Sequence, residues 1–554
     1  MEERRVKEAF FNLVDEPWIK VMMTDGREEL MSLKDIYAKC SEIRALSGET
    51  PLQDNAILRL LIAISVTCIY RYDESGNESQ LTGEDEAIER FRWLWEKRRF
   101  PQGYVDTYLD IWHDRFFLIG GEYPFYQVPA KYAKEIKVKV DKKNPIGSSY
   151  SLFPYRDYDK LGWVNSMSFN GEVLQSANTV SPFTNKGKDD KNRMFPGEAA
   201  RWLVYYMNYA DCSSKIPGKW NAGMTFTSSG ANIHPTGKCL FETLMLCSVL
   251  LDANGQIYTN ISPAWEKEGF TEINASPFGE TMPDNIPELY TQQSRKSILH
   301  FNGEYIDGMY TAAGDRYGTA NSFIEPMFAF HSDLSDKSGN TMKPNHLKPN
   351  SVGWKEYRKI FMNSFSNPSR WMNVLYEKEI LPWDIHVPYI MNDIAYGSMQ
   401  CTVDFTISTQ IALNPKYFID NQEIEKACIE IEHINEIASI LKRFGQRIDC
   451  SYGAKRDSKG KLIAGISNRI VEEYELSAGK LIEQLLLDKI KDIEEMRKEE
   501  IKRADIIAKK TLEEINIIGF IGHGDHYIGK AEEGLNRELY LMKEKMGLMK
   551  GGDE

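Results

Sequence analysis

Cysteine pairing is the first thing missing. The eight cysteines, at 40, 68, 212, 239, 247, 401, 428 and 450, form no C-x-x-C pair and no zinc-ligand spacing. That removes the disulfide-stapled and zinc-ribbon classes and fits a reducing cytoplasm. Long apolar runs are absent too. The most apolar stretch, Leu60 to Tyr70 between Arg59 and Arg71, is far shorter than the roughly 20 residues that span a bilayer, so it reads as a buried helix. The chain opens MEERRVKEAF, with no basic-then-apolar leader, and no membrane partner is expected. Catalytic signatures are also lacking: there is no G-x-S-x-G elbow, no H-E-x-x-H and no dinucleotide fingerprint between a strand and a helix. Positive charge is in deficit. With 68 Lys and Arg against 81 Asp and Glu, the net charge of −13 excludes a lone, nonspecific nucleic-acid binder, whose affinity would come from displaced counterions.

What is present is a globular composition, 42% hydrophobic and 27% charged over 554 residues, long enough for two or three domains. Near the start, Trp18 to Met23, Asp25-Gly26 and Glu29 to Met31 predict a β-hairpin, because Asp-Gly supplies the positive φ of a tight turn. Ser32 with Asp35 predicts a capping box opening a helix toward Tyr37. A strongly helical pattern follows from Pro51 to Tyr72, and another over AIERFRWLWEKRRF. The single histidine of YLDIWHDRFFLIGGEYPFYQV, His113, reads as a satisfied core or boundary group. LYTQQSRKSILHF is compatible with strand or helix, IEPMFAFHS at 324–332 alternates like a strand, and Trp354 to Asn363 reads as a helix. In WDIHVPYIMNDIAYGSMQCTVDFTI a small turn, Tyr396-Gly397-Ser398, interrupts an apolar strand-like run.

The stretch KIPGKWNAGMTFTSSGANIHPTGKCLFETLML, Lys215 to Leu246, is a glycine-bearing loop that turns into an apolar helix near Leu240. Glycines allow main chain to approach a ligand that a Cβ would hold off. Gly230 to Gly237-Lys238 has six intervening residues and is followed by Cys239, so it departs from the phosphate-loop spacing G-x-x-x-x-G-K-S/T. A plain surface turn is the other reading of this loop. Lysines cluster at 131–143, and Lys186, Lys188, Lys191 and Arg193 cluster in NKGKDDKNRMF; each cluster is a nucleic-acid contact or a solvated loop. His523, Asp525 and His526 in GFIGHGDHYIG offer a divalent-metal site, and with it a metal-dependent hydrolase, or simply an interhelical turn.

Beyond Pro415 the chain becomes charged and rich in Leu and Ile with helical spacing. Ile482, Leu486, Ile490 and Ile493 fall on one face, as do Ala504, Ile507, Ala508, Leu512 and Ile515. Three or four amphipathic helices, broken at 451–461 and 519–526, describe an antiparallel bundle. The fold class expected is therefore α+β: a large mixed α/β N-terminal domain, 1–415, followed by an all-α C-terminal bundle, 416–554. A pure helical scaffold, with idle glycine loops, is a further reading of this pattern.

Taken in order, FNLVDEPWIKV, the segment 108–128, IPGKWNAG with HPTGKCLFETLMLC, PAWE with LYTQQSRKSIL, EPMFAF, IAYGSMQCTV and the helical C-terminal region resemble the CasA-type large subunit of the type I-E CRISPR Cascade complex. The resemblance implies an α/β N-terminal domain joined to an all-α C-terminal four-helix bundle, and a non-catalytic subunit without cofactor. Such a subunit reads the protospacer-adjacent motif in target double-stranded DNA, promotes R-loop opening beside guide-RNA-containing subunits, and recruits a helicase-nuclease. It places the motif-reading glycine loop at Gly218, Lys219, Trp220, Asn221, Ala222 and Gly223, and a duplex-splitting wedge at Ser398, Met399 and Gln400. A mobile basic loop that touches nucleic acid would fall at Lys186, Lys188, Lys191, Arg193 and Phe195. Where some relatives carry a base-reading lysine, this chain has Met327, so that contact is missing or supplied elsewhere.

Overall fold

The computed structural model describes residues 10–127, 137–139, 151–153, 162–171, 174–176, 179–180, 186–187, 190–210, 224–267, 282–315, 317–349, 352–362, 367–397, 403–451, 465–518 and 524–549. The chain forms two compact units: Met1–Ser351 with Asn363–Pro382 and Pro388–Gln410, and Val352–Met362 with Trp383–Val387 and Ile411–Glu554.

The first unit is mixed. Strands β1 (Ile19–Met23) and β2 (Glu28–Met31) pair antiparallel, with Gly26 at φ +88° in the turn between them, as the Asp-Gly signal requires. On the other side of β1 lies β3 (Ile43–Leu46). Ser32 and Asp35 form the expected capping box at the start of α1 (Leu33–Lys39): the Asp35 amide donates to Ser32 Oγ and the Ser32 amide to Asp35 Oδ2. Helix α2 (Pro51–Arg71) has the length and apolarity of a membrane span, yet 94% of its apolar window is buried inside the protein. Apolar on every side, it takes the centre of the unit instead of a surface. The largely buried α3 (Pro196–Tyr209) and the short α4 (Leu240–Cys247) both pack on it.

Among the further sheets of the described residues, two are three-stranded. In one, β4 (Gly162–Asn165) and β5 (Arg295–Phe301) flank β6 (Ile306–Ala313). In the other, β7 (Asn232–Pro235), β8 (Val387–Tyr396) and β9 (Val403–Leu413) lie in that order. LYTQQSRKSILHF thus divides into a helical turn, Ile286–Tyr290, and strand β5. The expected strand over 324–332 shrinks to Phe330–Ser332, because Glu325 is drawn inward to an arginine of α2. His113 is a boundary residue with its ring nitrogen 2.6 Å from Asp15.

The second unit contains α5 (Gly353–Phe361) and four long helices, α6 (Asn421–Ser451), α7 (Ile466–Leu486), α8 (Ile493–Ile518) and α9 (Gly524–Lys545). The α6 end caps the α7 start, since Asp449 accepts from the amides of Ile466 and Ser467 at 3.0 Å each. Ile490 does not share the helical face of Ile482 and Leu486. The chain leaves α7 at Leu487, Asp488 turns to φ +55°, and its carboxylate accepts from Lys416 at 2.8 Å. Ala504, Ile507, Ala508 and Ile515 are buried as expected.

One buried layer of this bundle is polar. Glu430 of α6 pairs with Arg497 of α8 at 2.5 Å and lies 3.1 Å from His433 Nδ1. One turn further along α8, Glu500 is 0% exposed, and neither carboxylate oxygen has a hydrogen-bond partner among the described residues. Burial, and then the charge of Glu430, push its carboxyl up to about 9 against the pull of Arg497 and Arg503. The folded chain therefore keeps a proton that the unfolded chain releases above about 4.3. Stability should fall as pH rises from that value toward about 9. Glu500→Gln should flatten this dependence, raising the urea midpoint at pH 8 while leaving it nearly unchanged near pH 4.5; urea melts across that range test it.

Candidate nucleic-acid interface

The stems of the two loops expected to touch DNA come together in the first unit. Gly218 to Gly223 lie within 211–223, and Ser398 to Gln400 within 398–402, both outside the described residues. Their stems are described. The 211–223 segment begins after the C-terminal end of α3, and 398–402 joins β8 to β9.

A helix leaves its last four carbonyls without intrahelical donors. At the end of α3 each of the four is met by a side chain from elsewhere. Ser294 Oγ donates to the Met207 carbonyl at 2.5 Å, and the Thr225 hydroxyl to that of Asn208. The Tyr396 hydroxyl donates to the Tyr209 carbonyl at 2.8 Å, and Arg295 Nη2 to that of Ala210 at 3.4 Å. Arg295 also places positive charge at the negative end of the helix dipole. Thr225 belongs to the returning stem of the 211–223 loop, and Tyr396 is the last residue of β8 before the 397–402 connection. Both stems therefore meet on one helix end.

That end is tied into the interior. The Tyr209 hydroxyl accepts from Asn55 of α2 at 2.7 Å; burial pushes its pKa up, so it stays protonated. Asn208 Oδ1 accepts from Thr227 at 2.9 Å, and the Thr227 carbonyl accepts from Asn232 of β7 at 2.9 Å. Asn232 Oδ1 in turn accepts from Arg59 at 3.4 Å. Arg59 and Glu325, both 0% exposed, pair at 2.7 Å, with the guanidinium 3.9 Å from the centre of the Tyr290 ring and the Tyr290 hydroxyl donating to Glu325 at 3.1 Å. Burial opposes the Arg59 charge, but Glu325 more than compensates and holds the pKa above its ordinary value.

Met327 is 3% exposed, its amide donating to Glu325 at 3.1 Å and its sulfur 3.8 Å from Arg59. It sits in this core and presents nothing to a groove. On β8, buried Asp393 accepts from the Leu347 amide at 2.6 Å and lies 3.1 Å from His346 Nδ1, fastening the 343–349 loop beside the strand. The Asp393 hydrogen bond raises the His346 pKa.

The basic loop lies elsewhere. Lys186 Nζ is 2.5 Å from Glu198 and donates to the Arg193 carbonyl at 2.7 Å, while Met194 and Ile306 exchange backbone hydrogen bonds of 3.0 and 2.8 Å. Arg193 lies 5.1 Å from the Tyr305 ring centre, Lys191 is half-buried and Phe195 is 69% exposed; Lys188 lies outside the described residues. This loop precedes the N-terminal end of α3, a helix about 20 Å long at 1.5 Å per residue. The structure thus joins the stems of the two predicted DNA-contacting turns and sets the basic loop a helix length away. His523 lies outside the described residues, and Asp525 and His526 fall in the first turn of α9. Among the described residues, no group of three or more His, Cys, Asp or Glu is placed to hold a metal ion.

Sequence reasoning missed Tyr209, Ser294, Arg295 and Tyr396 as a cluster. The usable signals were QQSRKS, a polar interruption, and the turn after IAYG, but nothing local says that both reach one helix end.

The fold defines the class. The chain matches the crystal structure of Thermobifida fusca Cse1 with a TM-score of 0.76 and 18% identity, covering 98% of this chain and 99% of that one. Cse1 of Acidimicrobium ferrooxidans gives 0.73 at 18% identity, with the same coverage. A chain of a CRISPR RNA-guided surveillance complex gives 0.63 at 14%, covering 96% and 99%. The shared fold is a mixed α and β unit with a helical C-terminal region. The family model for CRISPR-associated protein Cse1 matches residues 12–513, and the chain belongs to that family. CasA/Cse1 of Thermus thermophilus is 27% identical over 330 residues, 58% of this chain; the match spans 54% of that relative's length.

Arg59→Met leaves Glu325 buried without a counter-charge and should cost about 3–5 kcal/mol. Changing Glu325 to Gln in the same chain should recover part of that loss; denaturant melts of the single and double variants measure both.

Proposed function

We propose that this chain is the target-recognition subunit of an RNA-guided CRISPR interference complex, acting by binding without chemistry of its own. It engages the protospacer-adjacent motif of target double-stranded DNA through the 218–223 loop, splits the adjacent base pairs with the 398–400 turn, and so promotes R-loop formation. Guide-RNA-containing subunits and a helicase-nuclease are its partners, in the cytoplasm. The observation that carries this reading is the convergence of both loop stems on the carbonyl end of α3, in a chain of the Cse1 family.

Small residues at Gly218, Ala222 and Gly223 let main chain enter a minor groove about 6 Å wide. Met399 supplies an apolar wedge and Gln400 a hydrogen-bonding group for an exposed base edge. Opening a base step costs a few kcal/mol, which groove contacts and guide pairing offset. A chain of net charge −13 has little backbone affinity alone, so most of the positive channel belongs to the other subunits.

Reconstitution with a guide-RNA particle and duplexes bearing a randomised flank tests the assignment. Adding this subunit should impose a flank preference, and Met399→Ala with Gln400→Ala should slow target opening while the melting temperature stays unchanged. Equal opening on all flanks with and without the subunit would remove the reading.

A further inference from the structure

We propose that the 343–348 loop is a phosphate-contacting arm for target duplex: Lys348, beside His346, takes a backbone phosphate and adds affinity without adding sequence preference. This rests on the reading above that the chain binds double-stranded DNA.

The loop is pinned along its length. The antiparallel pair Phe330–Ser332 and Met342–Pro344 leads into it. Asn345 donates its amide to the Ala329 carbonyl at 2.7 Å, and its own carbonyl accepts from the Ala231 amide at 2.8 Å. Pro344 packs so closely on Gly230 that a Cβ at residue 230 would come within 2.4 Å of it. Buried Asp393 of β8 accepts from the Leu347 amide at 2.6 Å and from the Ile394 amide at 2.8 Å. His346 Nδ1 lies 3.1 Å from the same carboxylate, and the ring also bonds the Ser229 backbone. Ser229 ends the helical turn Thr227–Ser229, just after the Thr225 stem. The loop is thereby fixed at once to β8 and to the turn beyond Thr225, anchors that a solvated surface connection does not require.

What this anchoring presents to solvent is positive charge. Pro344 and Leu347 turn inward, whereas Lys343, His346 and Lys348 are exposed. The Asp393 hydrogen bond, with the Asp393 charge and the Ser229 backbone, outweighs burial and raises the His346 pKa, so the ring keeps its charge to a higher pH than an ordinary histidine. Lys343 is paired with Asp333 at 2.7 Å. Lys348 has no ion-pair partner among the described residues. An unpaired cation on an immobilised backbone, in a chain of net charge −13, suits a phosphodiester, because little main-chain freedom is left to lose on binding. A phosphate contact fixes register and carries no base information.

The test measures affinity of the assembled complex for duplexes with preferred and disfavoured flanks across a salt series. Lys348→Ala should make the slope of log K against log salt about 1 unit shallower. It should weaken both flanks by the same factor, about three- to tenfold at low salt, with the melting temperature unchanged. Lys348→Arg should keep the wild-type slope, as should Lys442→Ala, which removes the same charge from an exposed position on α6. A wild-type slope in Lys348→Ala overturns the proposal. So does a loss confined to one flank, an equal change in Lys442→Ala, or a loss in Lys348→Arg as large as in Lys348→Ala. A wild-type complex that binds duplex no better than the particle lacking this subunit overturns the underlying reading instead.

Discussion

Four carbonyl oxygens at the end of one helix have to be satisfied, and the first unit is arranged around meeting that requirement. A buried peptide acceptor left unpaired costs on the order of 1–3 kcal/mol, and α3 ends inside the protein, where water is scarce. Ser294, Thr225, Tyr396 and Arg295 arrive from three separate segments to supply the donors. Capping a helix in this way fixes the relative positions of every segment that contributes. The described residues on either side of 211–223 are thereby fixed against the interior, Ala210 through Arg295 and Thr225 through Asn208.

In that interior lies the Arg59–Glu325 pair, with no exposure on either side. Its value is better sought in specificity than in stability, since replacing buried ion pairs by apolar groups is often neutral or stabilising. The planar Arg59 group, carried by α2, reaches β7, the Ile286–Tyr290 turn and the Glu325 turn at once, through Asn232, the Tyr290 ring and the carboxylate. Apolar side chains would pack there in more than one register, whereas these contacts admit one. The same pair accounts for Met327, whose sulfur sits against the guanidinium.

Local signals were legible in the sequence and long-range ones were not. The hairpin around Gly26, the Ser32 capping box and the buried α2 were each written in fewer than two dozen adjacent residues, and the structure has all three. Alternation over 324–332 suggested a strand because nothing nearby reveals that Glu325 is claimed by an arginine 266 positions earlier. Likewise, Ile490 fits a helical face on paper until Asp488 turns the chain toward Lys416. The family could be named from ordered short motifs, and the match over 12–513 bears this out. Tyr396, by contrast, looked like the edge of a turn, since a hydroxyl does not announce its acceptor.

The makeup of the second unit has a consequence for biosynthesis. Helix α5 emerges from the ribosome well before the four long helices, yet Tyr357 bonds the Tyr417 carbonyl and Trp354 fills a niche that exists because residue 479 is glycine, where a Cβ would come within 2.5 Å of the indole nitrogen. Its strongly apolar face must therefore wait, uncovered, until more than a hundred further residues have been made. Ordinary vectorial folding, in which each domain closes as it appears, is unavailable to this unit, and a nascent chain stalled near residue 410 would display an orphaned tryptophan-bearing helix to the chaperones around it.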